Sequence, residues 1–270
     1  MRGARVAKAL CVCTITMFMA VDKAEAAGRV GVRQPASGRA AAWRAIARLP
    51  DWGGTWYLAT GGQFSRGGVA GASPPQMTPE GAARLKTADE LYFKQGVNPP
   101  LQNCLPDGMP HIMDYAFPIE IYFTPDKVVI YTEAYGQVRW IFTDGRKQNP
   151  DLPPTYNGHS IGHWEGDTLV ADTVGMIPQT QLVVSNNFLG MRHSDQLRLT
   201  ERIHLIAKDV LEITTTVADP VIFAKPWVTV KTYKRRRGPL AAASEYVCSN
   251  NREPLDANGK QTFQFNPPKN

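Results

Sequence analysis

Short runs in which apolar residues alternate with polar ones dominate the chain from about residue 54 onwards. These runs are rich in β-branched and aromatic residues and are bounded by turn residues, which is typical of half-buried β-strands. Gly166-Asp167 and Lys208-Asp209 are two-residue connections of the kind that closes a β-hairpin. We therefore predict nine or ten mostly antiparallel strands. They cover residues 54–59, 118–123, 127–133, 138–143, 159–165, 168–174, 197–206, 210–217, 228–234 and 245–247.

One helix accompanies these strands. Thr78 followed by Pro79 is typical of an N-cap with proline in the first turn, and the helix is predicted to run to about Lys94. Because one helix covers little of a sheet, the sheet is predicted to hide its edges by closing on itself. The Gly-x-Trp sequence at Gly54–Trp56 resembles the opening of lipocalins. The predicted fold is therefore all-β, a closed or nearly closed, lipocalin- or calycin-like meander β-barrel with one helix in its N-terminal part. The alternative is a two-sheet β-sandwich.

The first 26 residues have the three parts of a secretory signal peptide. Three basic residues among the first eight precede an uncharged run at 9–21, and Ala24 and Ala26 supply the small residues that a signal peptidase reads. The uncharged run is short for a membrane span. We expect cleavage after Ala26, a periplasmic or secreted protein, and no stable membrane insertion afterwards. The alternative is an uncleaved membrane anchor.

Composition divides the remaining sequence into three parts. Residues 27–50 are predicted to be a flexible basic arm with a short helix-like stretch, residues 51–252 a single barrel domain, and residues 253–270 a tail. Residues 1–26 hold four of the 30 Lys and Arg residues and two of the 24 Asp and Glu residues, so the mature chain has a net charge of +4. A charge this mild, without a concentrated basic stripe, does not indicate a nucleic-acid partner.

Two cysteines remain once the signal peptide is removed, Cys104 and Cys248. Two cysteines in an oxidising compartment usually pair, so we predict a disulfide between them. Closing a loop of this length would stabilise the fold by about 4–5 kcal/mol in the chain-entropy account. Two isolated cysteines do not indicate a metal site, and we expect no metal and no cofactor; the alternative is a metal held by His163 and Glu165 with a third ligand from elsewhere in the chain.

Residues 158–175, GHSIGHWEGDTLVADTVG, resemble the signature of a group of exported bacterial proteins of unassigned function. The resemblance spans about residues 51–252 and implies no particular reaction. Further stretches resemble the same group, at residues 104–110, 144–146, 193–195, 219–220, 225–227 and 245–248.

Three polar residues of one predicted strand are candidates for chemistry. His159, His163 and Glu165 share one face because side chains alternate along a strand. The two histidines lie about 13 Å apart along a regular strand, too far to share one zinc ion. We predict catalytic roles for all three residues; the alternative is a polar face that points outward.

A second candidate lies in the loop before the strand at 197–206. His193 precedes Asp195 by two residues, and an aspartate beside a histidine can orient it as a general base. We predict that this pair takes part in catalysis, with the alternative that the two side chains point apart.

Two acidic residues fall on apolar strand faces. Glu201 shares a face with Leu199 and Ile203, and Glu133 shares one with Val129. A carboxylate on a buried face must be paired or have a raised pKa, so we predict that Glu201 is catalytic and that Glu133 binds substrate. The alternative is an internal ion pair with one of the nearby arginines, Arg139, Arg198 or Arg202.

The remaining candidates would line a cavity. Trp140, Trp164 and Trp227 are predicted to surround an aromatic or apolar ligand, with Arg139 and Arg146 as polar contacts. Plain core packing is the alternative for the tryptophans. For Arg146 the alternative is a turn braced by the arginine.

Absent motifs narrow the choice of function. The chain has no Gly-x-Ser-x-Gly elbow, P-loop, Rossmann fingerprint or His-Glu-x-x-His sequence. We predict an exported enzyme that binds a small, largely apolar organic molecule in a barrel cavity. It would act by cofactor-free general acid–base chemistry, as a lyase, isomerase, hydratase or cyclase. The alternatives are a lipocalin-like binding protein without turnover and an envelope protein that docks through its terminal segments.

The predicted processing can be checked by weighing the purified exported protein. Cleavage after Ala26 and a Cys104–Cys248 bridge predict a chain of 244 residues that is lighter by two hydrogens than its sequence mass. Intact-mass spectrometry before and after reduction measures both. A full-length mass, or a mass unchanged by reduction, would contradict the prediction.

Overall fold

The computed structural model describes residues 36–60, 73–95, 105–184, 190–238 and 241–246. The predicted signal peptide, the first part of the arm, Cys104, Cys248 and the predicted tail lie outside these residues. Part of the predicted arm is helical, because α1 spans Ala36–Ile46 in an alanine-rich stretch. The predicted helix is present as α2, Pro79–Asp89, and continues as a π-helical turn over Glu90–Lys94. No helix among the described residues is both long and apolar enough to cross a membrane.

The strands lie where the alternating pattern predicts them. Two have the predicted bounds and seven differ by one or two residues. The described residues also contain two short strands that the pattern did not reveal, whereas residues 245–246 are not in a strand. In chain order the strands are β1 Thr55–Thr60, β2 Ile119–Thr124, β3 Lys127–Thr132, β4 Gln137–Phe142, β5 His159–Glu165, β6 Thr168–Val174, β7 Gln181–Leu182, β8 Met191–Arg192, β9 Arg198–Ala207, β10 Val210–Ala218 and β11 Trp227–Arg236.

Nine of these strands close a barrel, which confirms the predicted fold. Their order around the barrel is β1-β11-β10-β9-β6-β5-β4-β3-β2, a meander in which β1 pairs with both β2 and β11. The neighbours are antiparallel except β4 and β5, where Ile141 pairs with Ser160 and Phe142 with Ile161 in parallel. The proline-rich loop before β5 is long enough to return the chain to the level at which β4 ends. β7 and β8 form a separate two-stranded sheet outside the barrel.

Aromatic side chains fill one end of the barrel interior, near the turns that join β2 to β3 and β5 to β6. Trp52, Phe123 and Trp164 are in mutual contact, with ring centroids 5.3–5.5 Å apart. Trp56 is fully buried and donates from its indole N–H to the carbonyl of Trp52 at 2.9 Å. Trp164 is therefore packed in the core, as its alternative interpretation had it.

A buried ion pair occupies the interior. Arg139 on β4 and Glu201 on β9 are 4% and 1% exposed, and the guanidinium contacts both carboxylate oxygens, Nη1 with Oε1 at 3.2 Å. The same guanidinium donates to Ser160 Oγ at 3.2 Å and to Thr173 Oγ1 at 2.9 Å. The burial predicted for Glu201 is confirmed, and its partner is one of the arginines named as alternatives.

The buried strand face predicted for Glu133 is wrong. The strand β3 ends at Thr132, and its buried residues are Val128, Ile130 and Thr132, so the face shared with Val129 points outward. Glu133 is half-buried beyond the strand and accepts a hydrogen bond from the backbone N–H of Ser244 at 2.6 Å. Both faces of β3 carry apolar residues, which is why the pattern alone assigned the wrong face.

Breaking the internal pair should destabilise the fold more than removing an outer one. Arg139→Met leaves the Glu201 carboxylate buried without its partner, and we expect the free energy of unfolding to fall by about 3–5 kcal/mol. The double variant Arg139→Met/Glu201→Leu should recover most of this loss. Arg202→Ala, which removes an exposed pair with Glu165 at 2.9 Å, should change the free energy of unfolding far less, because solvent screens that pair. Urea unfolding measures all three, and equal losses for the two single variants would contradict this account.

Candidate functional site

The face of α2 that is turned toward the β7–β8 sheet forms one wall of a groove outside the barrel. The helix begins after Thr78, whose hydroxyl accepts a hydrogen bond from Gly81 N at 3.0 Å, and Pro79 occupies the first turn. Gly81 packs so closely that an added Cβ would lie 2.2 Å from the carbonyl oxygen of Ile222. The groove residues of the helix are spaced by three or four and so share one face. They are Glu80, Ala83, Arg84, Thr87, Ala88 and, in the π-helical turn, Leu91.

The opposite wall comes from the two short strands. Gln181 pairs with Arg192, and Leu182 pairs with Met191. The groove between these walls has a volume of about 600 Å³, within the range of small-molecule sites. Its lining on this side is Leu105, Gln179, Gln181, Gly190, Met191 and Arg192.

Two polar groups of the groove are not committed to the protein. The side chain of Gln181 is 6% exposed, and its Oε1 atom is buried without a hydrogen-bond partner. Arg192 is exposed, and no carboxylate in the described part of the chain pairs with it. Arg84, in contrast, is held by Glu80 at 2.8 Å and by the carbonyl oxygen of His193 at 3.2 Å. The groove thus combines apolar walls with one unpaired cation, Arg192.

The predicted His193–Asp195 pair is wrong. His193 is buried behind the groove wall, where Nδ1 donates to the carbonyl of Ser194 at 2.6 Å and Nε2 shares a hydrogen bond with Thr180 Oγ1 at 2.5 Å. Burial lowers the pKa of this imidazole. The chain turns at Asp195, which is exposed, whereas the buried Asp219 accepts hydrogen bonds from the backbone N–H and the hydroxyl of Ser194, both at 2.7 Å.

His159, His163 and Glu165 lie on the outer face of β5. His163 is 62% exposed and lies 3.2 Å from Glu165, while His159 donates from Nε2 to the carbonyl of Pro153 at 2.8 Å. These three side chains point outward, and the residues between them on β5 point into the barrel. The structure therefore gives the catalytic prediction for them no support from a shared pocket. The outward polar face named as the alternative describes their placement.

The other predicted lining residues do not line the groove. Trp140 is 55% exposed on the outside of the barrel. Arg146 is also outside, where its Nε donates to Asp144 Oδ1 at 2.9 Å. Its guanidinium carbon lies 3.7 Å from the ring centroid of Phe142. Trp227 is buried and donates from its indole N–H to the carbonyl of Ser73 at 2.8 Å. Trp140 was expected to line a cavity because of its residue type alone, and it lies on the outer face of β4. Arg146 lies in the turn after β4 and braces Asp144, as the alternative for it had it.

A second polar cluster, which the sequence interpretation missed, lies just before β2. The Tyr115 hydroxyl donates to Asp107 Oδ2, and His111 Nδ1 lies 3.6 Å from Asp107 Oδ1. Burial raises the pKa of the Asp107 carboxyl to about 6, against the lowering effect of the Tyr115 hydrogen bond. Burial lowers the pKa of His111 to about 4. The spacing of four residues between the three side chains is visible in the sequence, but the segment contains only one 3-10 turn, His111–Asp114, which is too short to show a period.

Asp107 and His111 should make opposite contributions to the pH dependence of stability. Between about pH 4 and 6 the folded chain binds more protons at Asp107 and fewer at His111 than the unfolded chain, so the two contributions offset. In Asp107→Asn only the histidine contribution remains. Relative to wild type, we expect the free energy of unfolding to fall as pH drops from about 6.5 to 4, by on the order of 3 kcal/mol. Urea unfolding over this range measures it. The exposed control Asp151→Asn should follow wild type, and parallel curves for both variants would contradict the prediction.

Comparison with known proteins adds little to this geometry. No protein-family model matches the chain, and no curated protein is similar enough in sequence to count as a relative. Among solved structures, the chain is similar to a mutant of the fluorescent protein UnaG. The two are 18% identical, the alignment covers 69% of this chain and 97% of the other, and the TM-score is 0.33. The fold assignment therefore rests on the strand pairings of this chain itself.

Proposed function

We propose that this protein binds a small organic acid with an apolar body in the groove between α2 and the β7–β8 sheet, without turnover. The observation that carries the proposal is the exposed guanidinium of Arg192, which no carboxylate of the described residues pairs with, in the lining of a groove of about 600 Å³. An unpaired guanidinium beside apolar walls is complementary to an anion with an apolar body.

The shape and lining of the groove support an apolar ligand body. Ala83, Ala88 and Leu91 on the helix side face Leu105 and Met191 on the other. Apolar walls with a few polar anchors are the usual composition of a small-molecule site. Methionine and leucine side chains adapt to ligands of varied shape because they are flexible and unbranched near the backbone.

The polar end of the groove supports an acidic group on the ligand. Arg192 has no carboxylate partner in the described residues, and a guanidinium binds a carboxylate through two parallel hydrogen bonds. The nearby Glu80 does not oppose an anion strongly, because Arg84 pairs with it at 2.8 Å.

The placement of the predicted acid–base residues supports binding rather than catalysis. His163 and Glu165 are on the outer face of the barrel, His193 is sealed behind the groove wall, and Glu201 is held by Arg139. An enzyme of the predicted kind needs titratable groups that converge within a few ångströms of a substrate. The signal-peptide pattern and the resemblance to exported bacterial proteins extend the proposal to an exported binding protein.

The proposal predicts that an apolar acid binds more tightly than its neutral counterpart. Dodecanoate should bind with 1:1 stoichiometry by titration calorimetry, and dodecanol should bind more weakly. Arg192→Gln should weaken dodecanoate binding by about 10- to 100-fold and leave dodecanol binding nearly unchanged, because it removes a charge-assisted hydrogen bond. Ala83→Trp should abolish the binding of both probes because the indole fills the groove.

Matched variants separate these effects from changes in the fold. Arg198→Gln removes an exposed guanidinium on the barrel surface, and Ala82→Trp places the same indole on another face of α2. Both controls should bind dodecanoate as wild type does. Binding that survives Ala83→Trp, or that is lost equally in Ala82→Trp, would place the ligand elsewhere and contradict the proposal.

A further inference from the structure

Four aromatic rings beside Asp107 form a closed circuit, which we call the aromatic cup. Each ring contacts the next, with centroid distances of 5.9 Å for Tyr115–Phe117, 5.5 Å for Phe117–Tyr246, 5.2 Å for Tyr246–Tyr135 and 6.4 Å for Tyr135–Tyr115. All four side chains are half-buried, so the cup is open to solvent on one side. We propose that the aromatic cup and Asp107 bind a protonated or quaternary amine.

The spacing of the rings is compatible with a cation that contacts two of them at once. Neighbouring centroids lie 5.2–6.4 Å apart, so a cation between two rings lies within the range of about 6 Å over which a ring attracts it. Neighbouring planes are inclined at 51–90°, as adjacent walls of an enclosure are.

Asp107 supplies the negative charge of the cup. It is 3% exposed and receives a hydrogen bond from the Tyr115 hydroxyl. Burial and then the charge of Asp107 raise the pKa of Tyr115, Tyr135 and Tyr246. Because Asp107 contacts Tyr115, a cation among these rings would lie near its negative charge.

No cationic side chain among the described residues neutralises Asp107. Its ion-pair contact is with His111 at 3.6 Å, and burial lowers the pKa of that imidazole to about 4, so it is uncharged near pH 7. Burying a carboxylate without a counter-charge is unfavourable, as the raised pKa of Asp107 shows. A bound amine would supply the missing charge.

The chain holds the cup residues in place from three separate segments. His111 stacks on Tyr115 with centroids 5.2 Å apart and planes 17° apart, which fixes one wall. Tyr135 has a left-handed backbone, φ 57°, which is uncommon for an aromatic residue and is a conformation often kept at functional sites. Gly108 allows the Asp107 loop to pass close to Tyr156, because an added Cβ would lie 2.2 Å from its carbonyl oxygen.

The chemistry of the cup favours an organic cation over a metal ion. Calcium and magnesium require several oxygen ligands, whereas this site offers one carboxylate. No group of three or more His, Cys, Asp or Glu side chains in the described part of the chain is arranged to hold a metal ion. The cup shares no residue with the groove, so this inference does not rest on the proposed function.

Proton NMR of wild-type protein tests the inference without any variant. Choline carries the cation, and 3,3-dimethylbutan-1-ol is its neutral counterpart of the same shape. Bound choline should show a saturable upfield shift of its N-methyl resonance, caused by the surrounding rings, and the alcohol should not. Choline binding should weaken as pH falls below about 6, because Asp107 then gains a proton. Equal binding of both probes, or no saturable shift, would overturn the inference.

Variants assign the effect to the cup. Asp107→Asn and Tyr135→Leu should each weaken choline binding by about tenfold or more, and Tyr135→Phe should retain most of it because the ring face remains. The controls Asp126→Asn and Tyr122→Leu alter an exposed carboxylate and an exposed aromatic residue outside the cup and should bind as wild type does. Circular dichroism verifies that each variant is folded. Choline binding unchanged in Asp107→Asn would overturn the assignment.

Discussion

The buried pair between Arg139 and Glu201 constrains the whole barrel. Two opposite charges inside a closed sheet must remain together, because either one alone would be a desolvated ion. The guanidinium also contacts Ser160 and Thr173, so it joins four neighbouring strands in a single register. Together with the aromatic residues that fill one end, this polar layer leaves the interior occupied by the protein itself. The barrel therefore acts as a scaffold, and the elements outside the barrel make the contacts with a ligand.

Those outer elements are α2 and the β7–β8 sheet, and both are insertions into the meander. α2 separates β1 from β2, and the short sheet separates β6 from β9. The barrel strands anchor the ends of these insertions. The side chains of the insertions are not needed to fill the barrel core and can contact a ligand. The aromatic cup has the same origin, since Asp107, Tyr135 and Tyr246 all lie between or beyond barrel strands. The cup has a negative charge at Asp107, whereas the groove has a positive charge at Arg192, so the two sites would bind ligands of opposite charge.

The sequence predicts the regular parts well and the functional surroundings poorly. The alternating pattern correctly predicted the bounds of β5 and β6. The apolar neighbours of Glu201 on its strand face correctly predicted that its carboxylate lies in the interior. The same reasoning failed for Glu133, because both faces of β3 are apolar and the strand ends one residue earlier. β7 and β8 are too short to show a period. The Asp107 cluster surrounds a single 3-10 turn, His111–Asp114, which is too short for a periodic pattern to reveal.

Methyl NMR tests most directly whether ligand binding takes place outside a filled barrel. With methyl-labelled protein, titration with dodecanoate should shift the resonances of Leu91, Leu105 and Met191 in the groove. Those of Ile203 and Leu211, which are buried in the barrel core, should stay in place. The opposite pattern, with the core methyls shifted and the groove methyls unchanged, would mean that the barrel opens to admit the ligand and would contradict this account.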